Sequence, residues 1–275
     1  MKPFHLNPLH PRLLLAPLAV LTLGALLTGC STVSETGRSQ LNLISATEEM
    51  QLGLKSFTEL KKNTPVSQDA QATARVQRVG QRVAAVASLP NAQWEFVLFE
   101  SPEPNAFCLP GGKVGVYTGL LPIAKDDAGL ATVIGHEVAH ATSHHGSERM
   151  SQQMATQLGG QAFGALIGGQ SQATQGLLMQ AYGVAGQVGV LLPYSRKHES
   201  EADYIGLLFM AKAGYDPAAA VGFWERFAAY SAQHGGSGTP EFLRTHPLDQ
   251  TRINDLKAAM PKAKAEYDQA KAAGK

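Results

Sequence analysis

The clearest periodicity in the chain lies over residues 69–88. There Ala72, Val76, Val79, Val83 and Val86 recur at three- and four-residue spacings and predict an amphipathic helix that ends before Pro90. Trp94 to Glu100 alternates large apolar with polar positions and then runs apolar, the pattern of a strand. Two further short strands, Asn105 to Cys108 and Lys113 to Thr118, are joined through Pro110-Gly111-Gly112. From Asp126 to about His145, the positions Leu130, Val133, Ile134, Val138 and Ala141 mark a buried helix whose acidic first turn suits the positive end of its dipole.

The remaining pattern is helical. Ser45 or Thr47, with Glu48 and Glu49 behind it, starts a helix over about 47–61. Another runs from about Arg196 to Ala213 and stops at Gly214, after which Asp216-Pro217 opens a helix over 217–231. A Gly-rich loop at 235–238 precedes a last helix entered through Thr245-His246-Pro247. Residues 159–192 differ in kind: nine glycines and six glutamines interleave with apolar side chains, and no stretch is apolar enough to span a bilayer. The expected class is α+β, mostly helical, with one small sheet.

At 275 residues, with 44% hydrophobic and 16% charged residues, the chain can bury one sizeable core. Its first segment reads as a processing signal: Lys2 and Arg12 flank a positive region, Leu13 to Leu27 is apolar, and Leu27-Thr28-Gly29-Cys30 follows. This resembles the lipobox of bacterial lipoproteins, in which the cysteine is acylated and becomes the mature N-terminus. Residues 1–29 are then a signal peptide, 30–46 a lipidated tether, 47–260 the main domain and 261–275 a solvated tail. Ser31 carries no inner-membrane retention signal, so the expected location is the periplasmic face of the outer membrane. Removing Lys2 and Arg12 leaves 21 basic against 22 acidic residues, which excludes a nucleic-acid partner. With Cys30 acylated, Cys108 has no internal disulfide partner and is a small buried hydrophobe or a reactive thiol.

Chemistry concentrates in His136-Glu137-Val138-Ala139-His140. Residues four apart on a helix lie about 40° apart round the axis, with Cβ atoms roughly 6 Å apart. Two imidazoles at that spacing reach one zinc ion from the same side at ~2.0–2.1 Å, with Glu137 where a water would lie. A catalytic zinc needs a third protein ligand. The metzincin extension requires glycine at 143 and histidine at 146, but Ser143 and Gly146 stand there. The other solution is a carboxylate from a second helix, and His198-Glu199-Ser200-Glu201-Ala202-Asp203 offers it. Glu199 and Asp203 share a face, whereas Glu201 points about 160° away from Glu199. Glu199 is assigned as the third ligand and Asp203 as the carboxylate that orients a ligand histidine through its other ring N–H. The alternative is a solvated acidic face with Glu201 as ligand, or with no ligand at all. His144 and His145 read as structural or solvent-facing, with a second metal as the alternative, and His198 reads as packing or support.

Together with Asn105-Ala106-Phe107, Gly111-Gly112, Gly206, Gly214-Tyr215-Asp216-Pro217, Thr245-His246-Pro247 and Arg252, these motifs resemble one family over residues 41–260. It is the gluzincin metallopeptidases that include CAAX prenyl proteases, the heat-shock protease HtpX, the mitochondrial Oma protease and periplasmic quality-control peptidases. The resemblance implies a zincin-like fold and one Zn2+ per chain held by His136, His140 and Glu199. It also implies that Glu137 acts as general base, that His246 and Arg252 lie near the metal to stabilise an oxyanion, and that Asn105 on an edge strand holds substrate. The implied substrates are unfolded or misassembled envelope proteins, with outer-membrane assembly machinery as a further partner; a zinc-binding chaperone or scaffold is the competing function. Residues 159–192 are either a close-packed helix pair or a lid over the cleft, with His246 as a latch at the open coordination position.

Overall fold

The computed structural model describes residues 30–234 and 240–275. The expected signal peptide, residues 1–29, and the Gly-rich loop at 235–238 lie outside the described residues. A hairpin opens the structure, with β1 (Cys30–Thr32) antiparallel to β2 (Ser39–Leu41) and a turn at Gly37, where φ is +72°. The sequence predicts a lipidated tether here. Instead Val33 and Gln40 are both buried, and Val33 joins the core.

Helix α1 (Ala46–Asn63) begins with a reciprocal cap, in which Ser45 Oγ accepts from the Glu48 amide at 3.3 Å while Glu48 Oε2 accepts from the Ser45 amide at 3.1 Å. Helix α2 (Ala70–Ala84) is capped by Asp69 and buries Val76, Val79 and Val83, the stripe read from the sequence. The sheet comprises β3 (Glu95–Phe99), β4 (Ala106–Leu109) and β5 (Lys113–Tyr117), in the order β3-β5-β4. Strand β5 runs parallel to β3 and antiparallel to β4, so β4 is an edge. Gly111 and Gly112, at φ +84° and +80°, make the tight β4–β5 turn.

After the short helix α3 (Leu121–Ala124), α4 (Asp127–Thr142) is buried on almost every side. Asp126 caps it by accepting from the Gly129 amide at 2.9 Å. Helix α4 is covered by the sheet, by α7 (Leu192–Lys212) and by α8 (Ala219–His234). Between α4 and α7 the chain forms a helical hairpin of α5 (His145–Leu166) and α6 (Gln172–Gly186), followed by one π turn, Gln187–Leu191. Tyr182 of α6 lies over Gly159 and Gly160 and stacks on Phe163 at 5.4 Å, so the glycines of this segment admit a close helix pair.

A short α9 (Glu241–Thr245) leads into α10 (Gln250–Ala272), capped by Asp249. The sequence had suggested a solvated tail after Pro261. The helix instead runs through Pro261 and buries Ala263 and Ala270, and its end lies against Gly214. Burying that face offsets the amide hydrogen bond that proline cannot make. Among the described residues, no helix is long and apolar enough to cross a membrane.

Candidate metal centre

Two helices meet at glycine to make the centre. Where α4 crosses α7, Gly135 faces Gly206, and the backbones approach so closely that a Cβ on Gly206 would stand 2.7 Å from the His136 amide nitrogen. That approach brings Glu199 of α7 onto the face of α4 that carries His136 and His140. Their Nε2 atoms lie 3.1 Å apart, and the Glu199 carboxylate oxygens lie 3.4 Å from each. Nδ1 of His246, from the loop after α9, lies 3.3 Å from His136 Nε2 and 3.1 Å from Glu199 Oε2. All four residues offer donors within 4.8 Å of one another. Four ligands placed tetrahedrally at ~2.1 Å from zinc stand ~3.4 Å apart, so both the spacing and the nitrogen/oxygen donor set fit that ion.

Around these donors the support is continuous. Asp203 Oδ1 accepts from His136 Nδ1 at 3.0 Å, which leaves Nε2 free to face the other donors. Arg252 grips Asp203 through Nε at 2.6 Å and Nη2 at 2.8 Å, reaches Glu199 Oε2 at 3.2 Å and donates to the carbonyls of His246 and Pro247. Its guanidinium also lies 4.5 Å from the Trp224 ring. This buried arginine is therefore committed to carboxylates and to the His246 loop. The resemblance implied that Arg252 lies near the metal, and here it contacts Asp203, Glu199 and the His246 loop.

The electrostatics favour a cation. Burial opposes charge on His136, yet hydrogen bonds to Asp203 and Glu199 push its imidazole up to about 9 when no metal is bound. Glu199 is held well below the carboxylate range by His140 and His246 against the raising effect of burial. Glu137, 3% exposed, is raised chiefly by burial. Its Oε1 has no hydrogen-bond partner and lies 3.6 Å from His246 Nε2, so a strong acceptor is left open beside the donor cluster.

Strand β4 passes this acceptor, with the Cys108 backbone amide against the Glu137 carboxylate. The Cys108 thiol is pushed up by burial and by Glu137, which leaves it a poor nucleophile. Asn105 precedes β4, and its carbonyl accepts from the Tyr117 amide at 2.9 Å; it stands at the sheet edge outside the donor cluster.

The sequence reading left His145 open between a structural and a solvent-facing role. His145 is 1% exposed, and its Nδ1 lies 2.9 Å from Nδ1 of His140, while its Nε2 lies 3.0 Å from Glu201. Burial holds His145 down to about 4, so the ring is neutral near pH 7. His198 stacks on it at 4.3 Å and bonds Glu148 at 2.8 Å. His144, in the left-handed conformation at φ 53°, turns the other way to Glu49 at 2.7 Å. No spacing rule reveals His145, because the α4–α5 junction that turns it inward is set by tertiary packing.

The model of peptidase family M48 matches residues 70–260. Among curated proteins, the mitochondrial metalloendopeptidase OMA1 of Schizosaccharomyces pombe is 36% identical over 71% of this chain and 55% of its own length. The OMA1 metalloendopeptidase of Homo sapiens is 30% identical over 86% of this chain and 45% of its own. The beta-barrel assembly-enhancing protease of Escherichia coli K12 is 28% identical over 87% of this chain and 50% of its own. The chain thus spans about half the length of the curated relatives it matches. These matches correct the location expected from the sequence. The relatives at 34–38% identity are mitochondrial metalloendopeptidases, which points away from a lipid-anchored protein on the periplasmic face of the outer membrane.

Proposed function

Since the chain belongs to peptidase family M48, whose members are zinc metallopeptidases, we propose that it is an endopeptidase that cleaves unfolded or misassembled proteins, with His136, His140 and Glu199 as zinc ligands and Glu137 as general base. The observation that carries this reading is the unpartnered Oε1 of buried Glu137 beside the four-donor cluster. When bound there, zinc supplies Lewis-acid polarisation and makes water more acidic.

Glu137 Oε1 accepts the proton of an attacking water and returns it to the leaving amine, a role its burial favours by raising its proton affinity. Asp203 holds the proton on His136 Nδ1, and Arg252 holds Asp203 and the His246 loop in place. His246 Nε2, 3.6 Å from Glu137 Oε1, stabilises the developing oxyanion. The unpaired side of edge strand β4, entered at Asn105, takes an extended substrate backbone by strand addition, which suits unfolded chains over folded ones. The similarity to a protease named for β-barrel assembly supports substrates of that kind.

His246 Nδ1 also lies among the candidate metal donors, so its ring would compete with water and substrate for a bound zinc and would have to move aside before hydrolysis. Purified wild type and Glu137→Gln, incubated with a casein-like unfolded protein, test the proposal. Cleavage by the first and none by the second, at equal zinc content, is expected. Equal cleavage by both overturns the catalytic role of Glu137. His246→Ala separates its two roles: faster basal cleavage shows that displacement of the ring limits turnover, and slower cleavage assigns His246 to the oxyanion alone.

A further inference from the structure

The family match begins at residue 70, yet the innermost support of His140 leads back to residue 38. If His140 ligates through Nε2, the atom that faces His136 and Glu199, its Nδ1 carries the ring proton. That N–H points at Nδ1 of His145, 2.9 Å away, which must accept and therefore bear no proton. The proton of neutral His145 then sits on Nε2 and is donated to Glu201 Oε2 at 3.0 Å. One assignment of protons satisfies both rings, and the Glu201 carboxylate fixes it.

Glu201 is itself held from outside the matched region. Thr36 Oγ1 donates to its Oε1, and Arg38 Nε donates to its Oε2 at 2.8 Å. The same guanidinium spans to Glu148, with Nη1 to Oε1 at 3.0 Å and Nη2 to Oε2 at 2.8 Å. Glu148 in turn holds His198, whose ring stacks on His145. Arg38 thus sits between two buried carboxylates, and both Thr36 and Arg38 lie on the turn of the β1–β2 hairpin. Without the arginine, two buried negative charges face each other and Glu201 is free to turn from His145.

We propose that the N-terminal hairpin is a working part of the metal centre: Arg38 and Thr36 fix Glu201, Glu201 fixes the tautomer of His145, and His145 orients His140 for zinc. Arg38, Glu201 and His145 are positioning residues, and the inference rests on the reading of His140 as a zinc ligand. Outer partners of a ligand histidine are worth about 10–100-fold in metal affinity.

The test is the zinc dissociation constant of the full-length protein, measured by competition with a chromophoric chelator. It is applied to wild type, His140→Ala, Arg38→Ala, His145→Ala and the Arg38→Ala/His145→Ala double variant, with thermal unfolding of each metal-free protein alongside. Arg38→Ala and His145→Ala are each expected to weaken zinc by about 10–100-fold. In the His145→Ala background, the Arg38 substitution should change zinc affinity by less than about twofold, because its route to the metal is already cut. A merely structural arginine lowers unfolding temperature in both backgrounds without that saturation.

Multiplying effects, or wild-type affinity in both single variants, overturn the relay. If Arg38→Ala does not fold, Thr36→Val and Arg38→Lys are judged by the same saturation criterion, since neither retains the full set of contacts to Glu201 and Glu148. His140→Ala separates the two readings. Wild-type zinc affinity in that variant removes His140 as a ligand, whereas its loss beside unaffected Arg38 and His145 variants overturns the relay alone.

Discussion

Gly206→Ala probes the contact on which the metal centre depends. The added Cβ would lie 2.7 Å from the His136 amide nitrogen, 2.8 Å from the Gly135 carbonyl carbon and 2.9 Å from the His136 Cα. All three are backbone atoms of α4, so no side chain can swing aside. Ordinary contact is ~3.5–4.0 Å, and α7 must therefore retreat by about 1 Å. Overpacking of this kind costs about 1–3 kcal/mol, against which alanine regains about 0.5–1 kcal/mol of helix preference. The net loss is at most about 2.5 kcal/mol and is centred at about 1 kcal/mol, an unfolding temperature lower by about 2–4 °C for a domain of this size. Glu199 rides on the same helix roughly two turns earlier and moves with it, so its 3.4 Å spacing to both histidines widens and zinc affinity falls. Calorimetry of the metal-free protein and chelator competition measure the two effects. Gly176→Ala in α6, where a Cβ meets nothing within 4 Å, is the control and should raise stability slightly. Gly206→Ala with wild-type unfolding temperature and zinc affinity would refute the crossing as the origin of the ligand geometry.

Three further outcomes follow from the same geometry. Glu137→Gln should keep zinc and lose about 10²–10⁴-fold in peptide hydrolysis, measured as kcat on an unfolded substrate; retained turnover contradicts its role. Asp203→Asn, which weakens the hold on His136 Nδ1 and leaves Arg252 without its main carboxylate, should weaken zinc by about 10–100-fold in chelator competition. Glu148 is held down to about 2 by His198 and Arg38 despite burial, so its contribution to stability is fully present above the ordinary ~4.3 and is lost as pH falls toward 2. The stability deficit of Glu148→Gln relative to wild type should accordingly shrink in urea unfolding at pH 3 compared with pH 7; an equal deficit at both contradicts the ion-pair account.

Much of the site was legible because helical geometry fixes it locally. His136 and His140 share a face by spacing alone, and the 160° between Glu199 and Glu201 assigns them to opposite partners. The structure places Glu199 against the two histidines and Glu201 against His145 and Arg38. What local rules could not supply was long-range placement. Strands β1 and β2 are three residues each and largely polar, too short for a period of two to register, and their stability comes from Val33 and Arg38 docking on distant helices. His145 belongs to the same class, since its burial depends on how α5 leaves α4. Pro261 signalled a helix end and was overridden by burial of Ala263 and Ala270. In 159–192, glycine and glutamine left a close helix pair and a lid equally open; the segment forms two helices, with Tyr182 packed over Gly159 and Gly160.

The central claim, that His136, His140 and Glu199 hold one zinc ion beside Glu137, is tested most directly by anomalous diffraction across the zinc absorption edge from crystals of the zinc-loaded protein. The account predicts a single peak ~2.0–2.2 Å from Nε2 of His136, Nε2 of His140 and a Glu199 oxygen. A peak ligated by Glu201 or His145, or none between α4 and α7, would contradict it.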